Sequence, residues 1–217
     1  MTYGTSFQYL GKTGHTCTAQ VGVFASYCVD NLATLINYRL FIPKSWIKDH
    51  EKSMNAKIPL ESQEHKTKPK LALDMLDSFI SEKIPIGYVQ PDGLYGNDSK
   101  FISGLYERNV SFICDIPSDT LVYITLPEPI LPERQGKRGR FPTKLKILNT
   151  SPVSVKWLAE IQKTWEPVFV RFTDRGIKSV DCAVLTVWRR QDGNHVNIPV
   201  RLIMIRDPEI GAIMFAF

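Results

Sequence analysis

Residues 70 to 116 constrain the fold more than any other stretch, because helix-like and strand-like patterns alternate there in quick succession. In KLALDMLDSFISEK, Leu71, Met75, Leu76 and Phe79 fall at helical spacing, and Pro69 stands where a helix can begin. The run IPIGYV then reads as a buried strand ending at Pro91-Asp92, despite the interruption at Gly87. A second helix runs through SKFISGLYERN with Asp98 as its N-cap, and VSFICDI is another short apolar strand. Such connections build right-handed parallel units, which predicts an α/β fold.

The flanks carry different signals. TAQVGVFASYCV (18–29) and NLATLINYRLFI (31–42) are strand-like runs with Asp30-Asn31 between them, which predicts an antiparallel hairpin. From Pro43 to Lys70 the chain is polar and charged with no sustained period, and a long loop is expected. After Pro117 the texture changes. Prolines 127, 129, 132 and 142 introduce a region that is mostly β: VFVRFT, VDCAVLTVWRR, VNIPVRLIMIR and EIGAIMFAF, preceded by a short helix in VSVKWLAEIQ. Asp174-Arg175-Gly176 and Gln191-Asp192-Gly193-Asn194 read as turns. The expected division is 1–125 for the α/β part and 126–217 for the β-rich part. The chain closes on the strand-like GAIMFAF, where a natural terminus more often trails into polar residues.

A hydrophobic fraction of 43% belongs to a folded, soluble chain, and no apolar run is long enough to span a bilayer. The polar start shows no secretory signal, so a cytoplasmic location is expected. Cys17, Cys28, Cys114 and Cys182 lack the close pairing of a zinc site or redox dithiol, and are expected to act as small hydrophobes in or beside strands. His15, His50, His65 and His195 are equally dispersed and read as surface or loop residues. The net charge of +5 tolerates a polyanionic partner. Its distribution says more: in RQGKRGRFPTKLK, Arg134, Lys137, Arg138, Arg140, Lys144 and Lys146 meet no acidic residue. Taken alone, that run is a solvated basic loop.

Metal-dependent phosphoryl transfer needs carboxylates converging on two divalent ions about 3.5–4 Å apart. Magnesium favours such hard oxygen ligands. In open α/β sheets ligands gather beyond the carboxyl ends of strands. Asp92 is so placed, closing IPIGYVQ and opening DGLYGND. An aspartate after a strand is also a common turn former, so the residue by itself leaves both readings open.

The segment YVQPDGLYGND resembles the second-aspartate motif of insertion-sequence DDE transposases, in which an apolar strand delivers Asp followed by x-x-Tyr-Gly. Other segments resemble the same family in the same order. QYLGKTGHTCTAQVGVFASY is similar to the stretch after its first aspartate, INYRLFIPKSWIKD to a strand end leading into Ser-Trp, KTKPKLALDML to the helix before the second aspartate, and WEPVFVRFTDRGIKSVDCAVLTVWRR to part of its β-rich insertion. The resemblance implies a partial RNase H-like mixed sheet with flanking helices, followed by a β-rich insertion. It implies Asp92 as a catalytic residue and metal ligand, Mg2+ as cofactor, and DNA as partner. The basic run from Arg134 to Lys146 would then contact phosphates.

The departures from the family are equally informative. Its first aspartate lies upstream of the segment that here begins near Gln8, Met1 to Phe7 hold no acidic residue, and its glutamate rides on a helix beyond the insertion. The resemblance therefore implies a transposase fragment that is inert by itself and lacks the strand carrying the first aspartate. Asp115 closes the strand after that of Asp92, Asp30 sits in a hairpin turn and Glu209 in a DPEIG turn; these read as strand-end and turn residues. The alternative is a non-catalytic DNA-binding module that inhibits transposition, pairing with a full-length transposase or with itself. A third reading makes the β-rich half a protein-interaction module anchored by Trp157, Trp165 and Trp188, although core tryptophans fit those positions better.

Overall fold

The computed structural model describes residues 3–10, 14–30, 32–59, 63–134, 141–174, 176–189 and 199–217. They form a mixed α/β structure in two compact units, Met1–Ile86 and Gly87–Phe217. No helix among these residues is long and apolar enough to cross a membrane.

The first unit begins with β1 (Ser6–Leu10) and β2 (His15–Ala19), an antiparallel pair that sequence patterning did not single out. The expected hairpin follows as β3 (Val21–Val29) and β4 (Leu32–Phe41), forming a two-stranded sheet of its own. Asp30 holds φ +52°, a left-handed conformation that aspartate tolerates in turns; Asn31, its expected partner, lies outside the described residues.

The loop expected between residues 43 and 70 contains two short helices, α1 (Lys44–Ile47) and α2 (His50–Asn55). Local polar contacts stabilise them where hydrophobic period gives no cue. Asp49 caps α2 by accepting from the Lys52 amide at 3.0 Å, and the buried Ser53 hydroxyl donates to the Trp46 carbonyl at 2.6 Å. Trp46 is itself buried, with its indole donating to the Thr5 carbonyl at 2.8 Å. The helix α3 (Lys68–Ser81) forms where expected: Thr67 caps it, a proline occupies its first turn, and Leu71, Met75 and Leu76 are buried on one face. That face packs on β3 and β4.

The second unit opens with α4 (Gly93–Gly96) and α5 (Ser99–Glu107), the latter capped by Asp98 accepting from the Phe101 amide at 2.8 Å. Next come β5 (Leu121–Tyr123), the paired β6 (Pro129–Ile130) and β7 (Lys146–Ile147), then β8 (Val153–Ser154) and α6 (Val155–Ile161). Four longer strands end the chain: β9 (Glu166–Thr173), β10 (Gly176–Arg189), β11 (Pro199–Arg206) and β12 (Ile213–Ala216). With β5 and β8 they form a six-stranded antiparallel sheet in the order β12-β11-β10-β5-β8, and β9 pairs with the first part of β10. Val200, Leu202 and Met204 are buried at every second position of β11, packing with Val187 of β10 and with Val155 and Leu158 of α6. Arg175, the turn Gln191 to Asn194, His195 and residues 196–198 lie outside the described residues.

Two expected strands are shorter than their composition suggests. Residues 84–91 and 110–115 contribute one parallel bridge, Val89 to Phe112, made by Val89 N–H donating to the Ser111 carbonyl (2.8 Å) and Ile113 N–H donating to the Val89 carbonyl (3.0 Å). On its other edge the segment 110–115 meets an antiparallel partner, with the Cys114 and Ile116 N–H groups donating to the carbonyls of Phe217 at 2.8 Å and Phe215 at 2.9 Å. These groups lie on the edge opposite to Val89, and the parallel ladder stops because its next donor would be residue 91, a proline with no N–H. All four cysteines are unbridged; Cys114 is buried as a small hydrophobe, whereas Cys17 and Cys28 lie on strands but face solvent, contrary to expectation.

Candidate catalytic aspartate and nucleic-acid interface

Asp92 stands at the exit of the parallel bridge and forms the N-cap of α4, with its carboxylate accepting from the Gly93 amide at 2.6 Å and its carbonyl accepting from the Tyr95 amide at 2.9 Å. The side chain is exposed. Tyr95 packs against Phe101 as a tilted ring pair with centroids 5.1 Å apart, and its phenol is pushed above the ordinary tyrosine range by burial and by the nearby Asp92 charge.

The Asp92 loop is wedged onto the segment that carries Asp115. Gly96 is buried, and a β-carbon built on it would lie 2.0 Å from the Asp115 carbonyl oxygen. At Gly93 the corresponding atom would lie 3.8 Å from the Asp115 β-carbon. Asp115, read from the sequence as a strand-end residue, is exposed like Asp92 and lies against the two glycines of its loop.

A residue that sequence reasoning missed closes this arrangement. Arg189, near the end of β10, donates from Nη2 to the Gly96 carbonyl at 3.0 Å, and its guanidinium lies over the Phe217 ring at 5.1 Å. Burial pulls its pKa below the ordinary arginine value, against the opposing influence of Cys114, Tyr106 and Asp98. Its Nη1 is buried without a hydrogen-bond partner. Only the adjoining arginines of VWRR hinted at a cation here, and no local signal linked them to a loop 93 residues earlier.

The other carboxylates weighed from the sequence occupy turns. Asp30 occupies its hairpin turn. Glu209 lies in a turn organised by Asp207, whose carboxylate accepts from the Glu209 amide at 2.9 Å. Among the described residues no three His, Cys, Asp or Glu side chains converge as metal ligands. One cap aspartate with an exposed neighbour does not fit a two-ion site, which needs several carboxylates to offset the ionic charge.

Of the basic run, Arg134, Lys144 and Lys146 are described. Arg134 lies over the Phe141 ring at 4.7 Å, and Lys144 and Lys146 are exposed, the latter on β7. Lys137, Arg138 and Arg140 lie outside the described residues.

The family model described as DDE superfamily endonuclease matches residues 1–177 of this chain. No curated protein and no solved structure matches it.

Proposed function

Because the chain belongs to the DDE superfamily endonucleases, we propose that it carries the second-aspartate region of an insertion-sequence transposase, with Asp92 as the triad member. The observation supporting this most directly is the position of Asp92, immediately beyond a parallel-bridged extended segment and at the start of a glycine-bearing turn. On this reading residues 1–125 belong to an RNase H-like core and residues 126–217 to a β-rich insertion. DNA is the substrate, met in the cytoplasm, and Arg134, Lys137, Arg138, Arg140, Lys144 and Lys146 contact its phosphates. In an intact enzyme of this kind magnesium would activate the attacking oxygen and stabilise the leaving one.

These 217 residues offer Asp92 as their one carboxylate at a matching triad position, and we propose that by themselves they neither cut nor join DNA. A second reading, a non-catalytic DNA-binding module that inhibits transposition by occupying DNA or by joining a full-length transposase, rests on the same basic run and on the β-rich half. Incubation of supercoiled plasmid with the purified chain in magnesium or manganese tests the inert reading, and salt-dependent retention of a labelled duplex tests the DNA partner. The coding sequence on either side separates the two readings. Codons for an upstream aspartate and a downstream glutamate favour the transposase fragment, and their lack favours the dedicated binder.

A further inference from the structure

The first unit contains a groove of about 610 Å³ that the catalytic reading does not use. Its size lies within the roughly 300–1,000 Å³ of small-ligand sites. Two chemistries meet in it. Leu40, Ile42, Ile58 and Leu71 supply an apolar floor, while Arg39 and Lys57 supply cations. Arg39 is oriented in advance, since its Nη1 donates to the Asn37 side-chain oxygen at 2.5 Å and to the Tyr38 carbonyl at 2.9 Å.

The charge balance limits what the groove accepts. Asp74 also lines it but is neutralised by Lys66 at 2.8 Å and Lys70 at 3.1 Å, which leaves Arg39 and Lys57 to meet a ligand. Glu64 opposes a high density of negative charge. A ligand with one phosphate and a flat, largely apolar body satisfies these conditions better than a polyphosphate.

We propose that this groove binds a single unpaired nucleotide carrying a terminal phosphate, the end of a DNA strand, with the base on the apolar floor and the phosphate between Arg39 and Lys57. The inference rests on DNA being the partner, but it uses residues other than Asp92 and the basic run.

The test uses the full chain and three labelled probes: a short single strand with a 5′-phosphate, the same strand without it, and a duplex of matched sequence. The phosphorylated strand should bind about tenfold more tightly than its unphosphorylated counterpart, as expected for one charge-assisted contact. Arg39→Gln and Lys57→Asn should abolish that preference; asparagine suits the left-handed backbone at Lys57, where φ is +54°. Ala56→Phe, which fills the groove without changing charge, should weaken both single strands, and unchanged thermal unfolding would show that each variant folds. A triple alanine variant at Lys137, Arg138 and Arg140 should weaken the duplex and leave the phosphate preference intact. If the preference is missing, or survives all three groove variants while the duplex still binds through the basic run, the groove assignment fails and the DNA reading stands. If no probe binds, both fail. Displacement of the strand by free deoxyadenosine monophosphate at equal concentration would overturn the strand-end assignment.

Discussion

Gly96 and Asp115 approach so closely that a β-carbon on the glycine would stand 2.0 Å from the aspartate's carbonyl oxygen. The obstacle is backbone, so no side chain can rotate away. Gly96→Ala should therefore displace the Asp92 loop and cost about 1–3 kcal/mol, the range for overpacking a filled site. Gly93→Ala, whose added atom meets Asp115 at an ordinary 3.8 Å, should be close to neutral. Denaturant midpoints of the two variants decide the matter, and equal stabilities would show that the loop does not dock on Asp115.

This contact also shows what a sequence can and cannot reveal. The hairpin over 21–41, the helices α3 and α5 with their Thr67 and Asp98 caps, and the β-rich C-terminal region were all legible, because period and capping are local properties. The first hairpin was not. Its Phe7 and Tyr9 face solvent at 73% and 65% exposure, so no buried face marks it as a strand. The extent of the parallel strands was misjudged because composition reports strand propensity, whereas the ladder ends where Pro91 has no N–H to donate. The position of Asp92 at a strand exit was readable from its own segment, whereas Arg189 reaches the same loop only through tertiary folding.

The thiols should divide by exposure. Burial pushes the Cys114 pKa up to about 12, with Arg189 opposing and Asp115 reinforcing the shift, so it holds almost no thiolate near neutrality. Cys17 and Cys28 are exposed. A disulfide reagent should modify those two in the folded chain and reach Cys114 only after denaturant is added. The raised pKa also means that the Cys114 contribution to stability is present below pH 9.0 and is lost as pH rises toward 12. Early modification of Cys114 in native buffer would contradict its burial.

Acid should weaken the first unit through Asp74. Burial raises the pKa of this carboxyl, but hydrogen bonds from Lys66 and Lys70 outweigh that effect and hold it below 3.8. A depressed folded-state pKa gives stability that is present above the unfolded value and lost as pH falls through the folded one. Unfolding monitored by fluorescence in a variant that keeps Trp46 and replaces Trp157, Trp165 and Trp188 by Phe should therefore become easier below about pH 4, and adding Asp74→Asn should flatten that dependence. The gain at neutral pH will be small, since Lys70 is half-exposed. An Asp74→Asn variant with an unchanged acid limb would exclude the ion pair as its source.

DNA binding should be electrostatic and indifferent to sequence. Each phosphate that a cation neutralises adds about 0.9 to the steepness with which log affinity for duplex DNA falls against log salt. Replacing Lys137, Arg138 and Arg140 together should weaken a labelled duplex and flatten that dependence by up to about 2.7. Arg134, Lys144 and Lys146 remain in that variant, so residual binding should persist. An unchanged slope would move the interface away from this run.

The strongest prediction follows from counting ligands around Asp92. Two-ion phosphoryl transfer requires carboxylates on separate elements to neutralise and position both ions. Here Asp92 spends one oxygen on the Gly93 amide, Asp115 is exposed on the segment against which Gly93 and Gly96 pack, and no three potential ligands converge among the described residues. The purified chain should neither nick supercoiled plasmid nor join strands in magnesium or manganese, and Asp92→Ala should leave that result unchanged. The same substitution should cost about 0.5–2 kcal/mol of stability through removal of the cap, while Asp92→Asn should retain most of it. Stability and activity at this residue are thus expected to separate. Metal-dependent nicking that vanished with Asp92→Ala and also with Asp115→Ala would mean that the two aspartates assemble a working site when an ion arrives, and the inert reading would have to be abandoned.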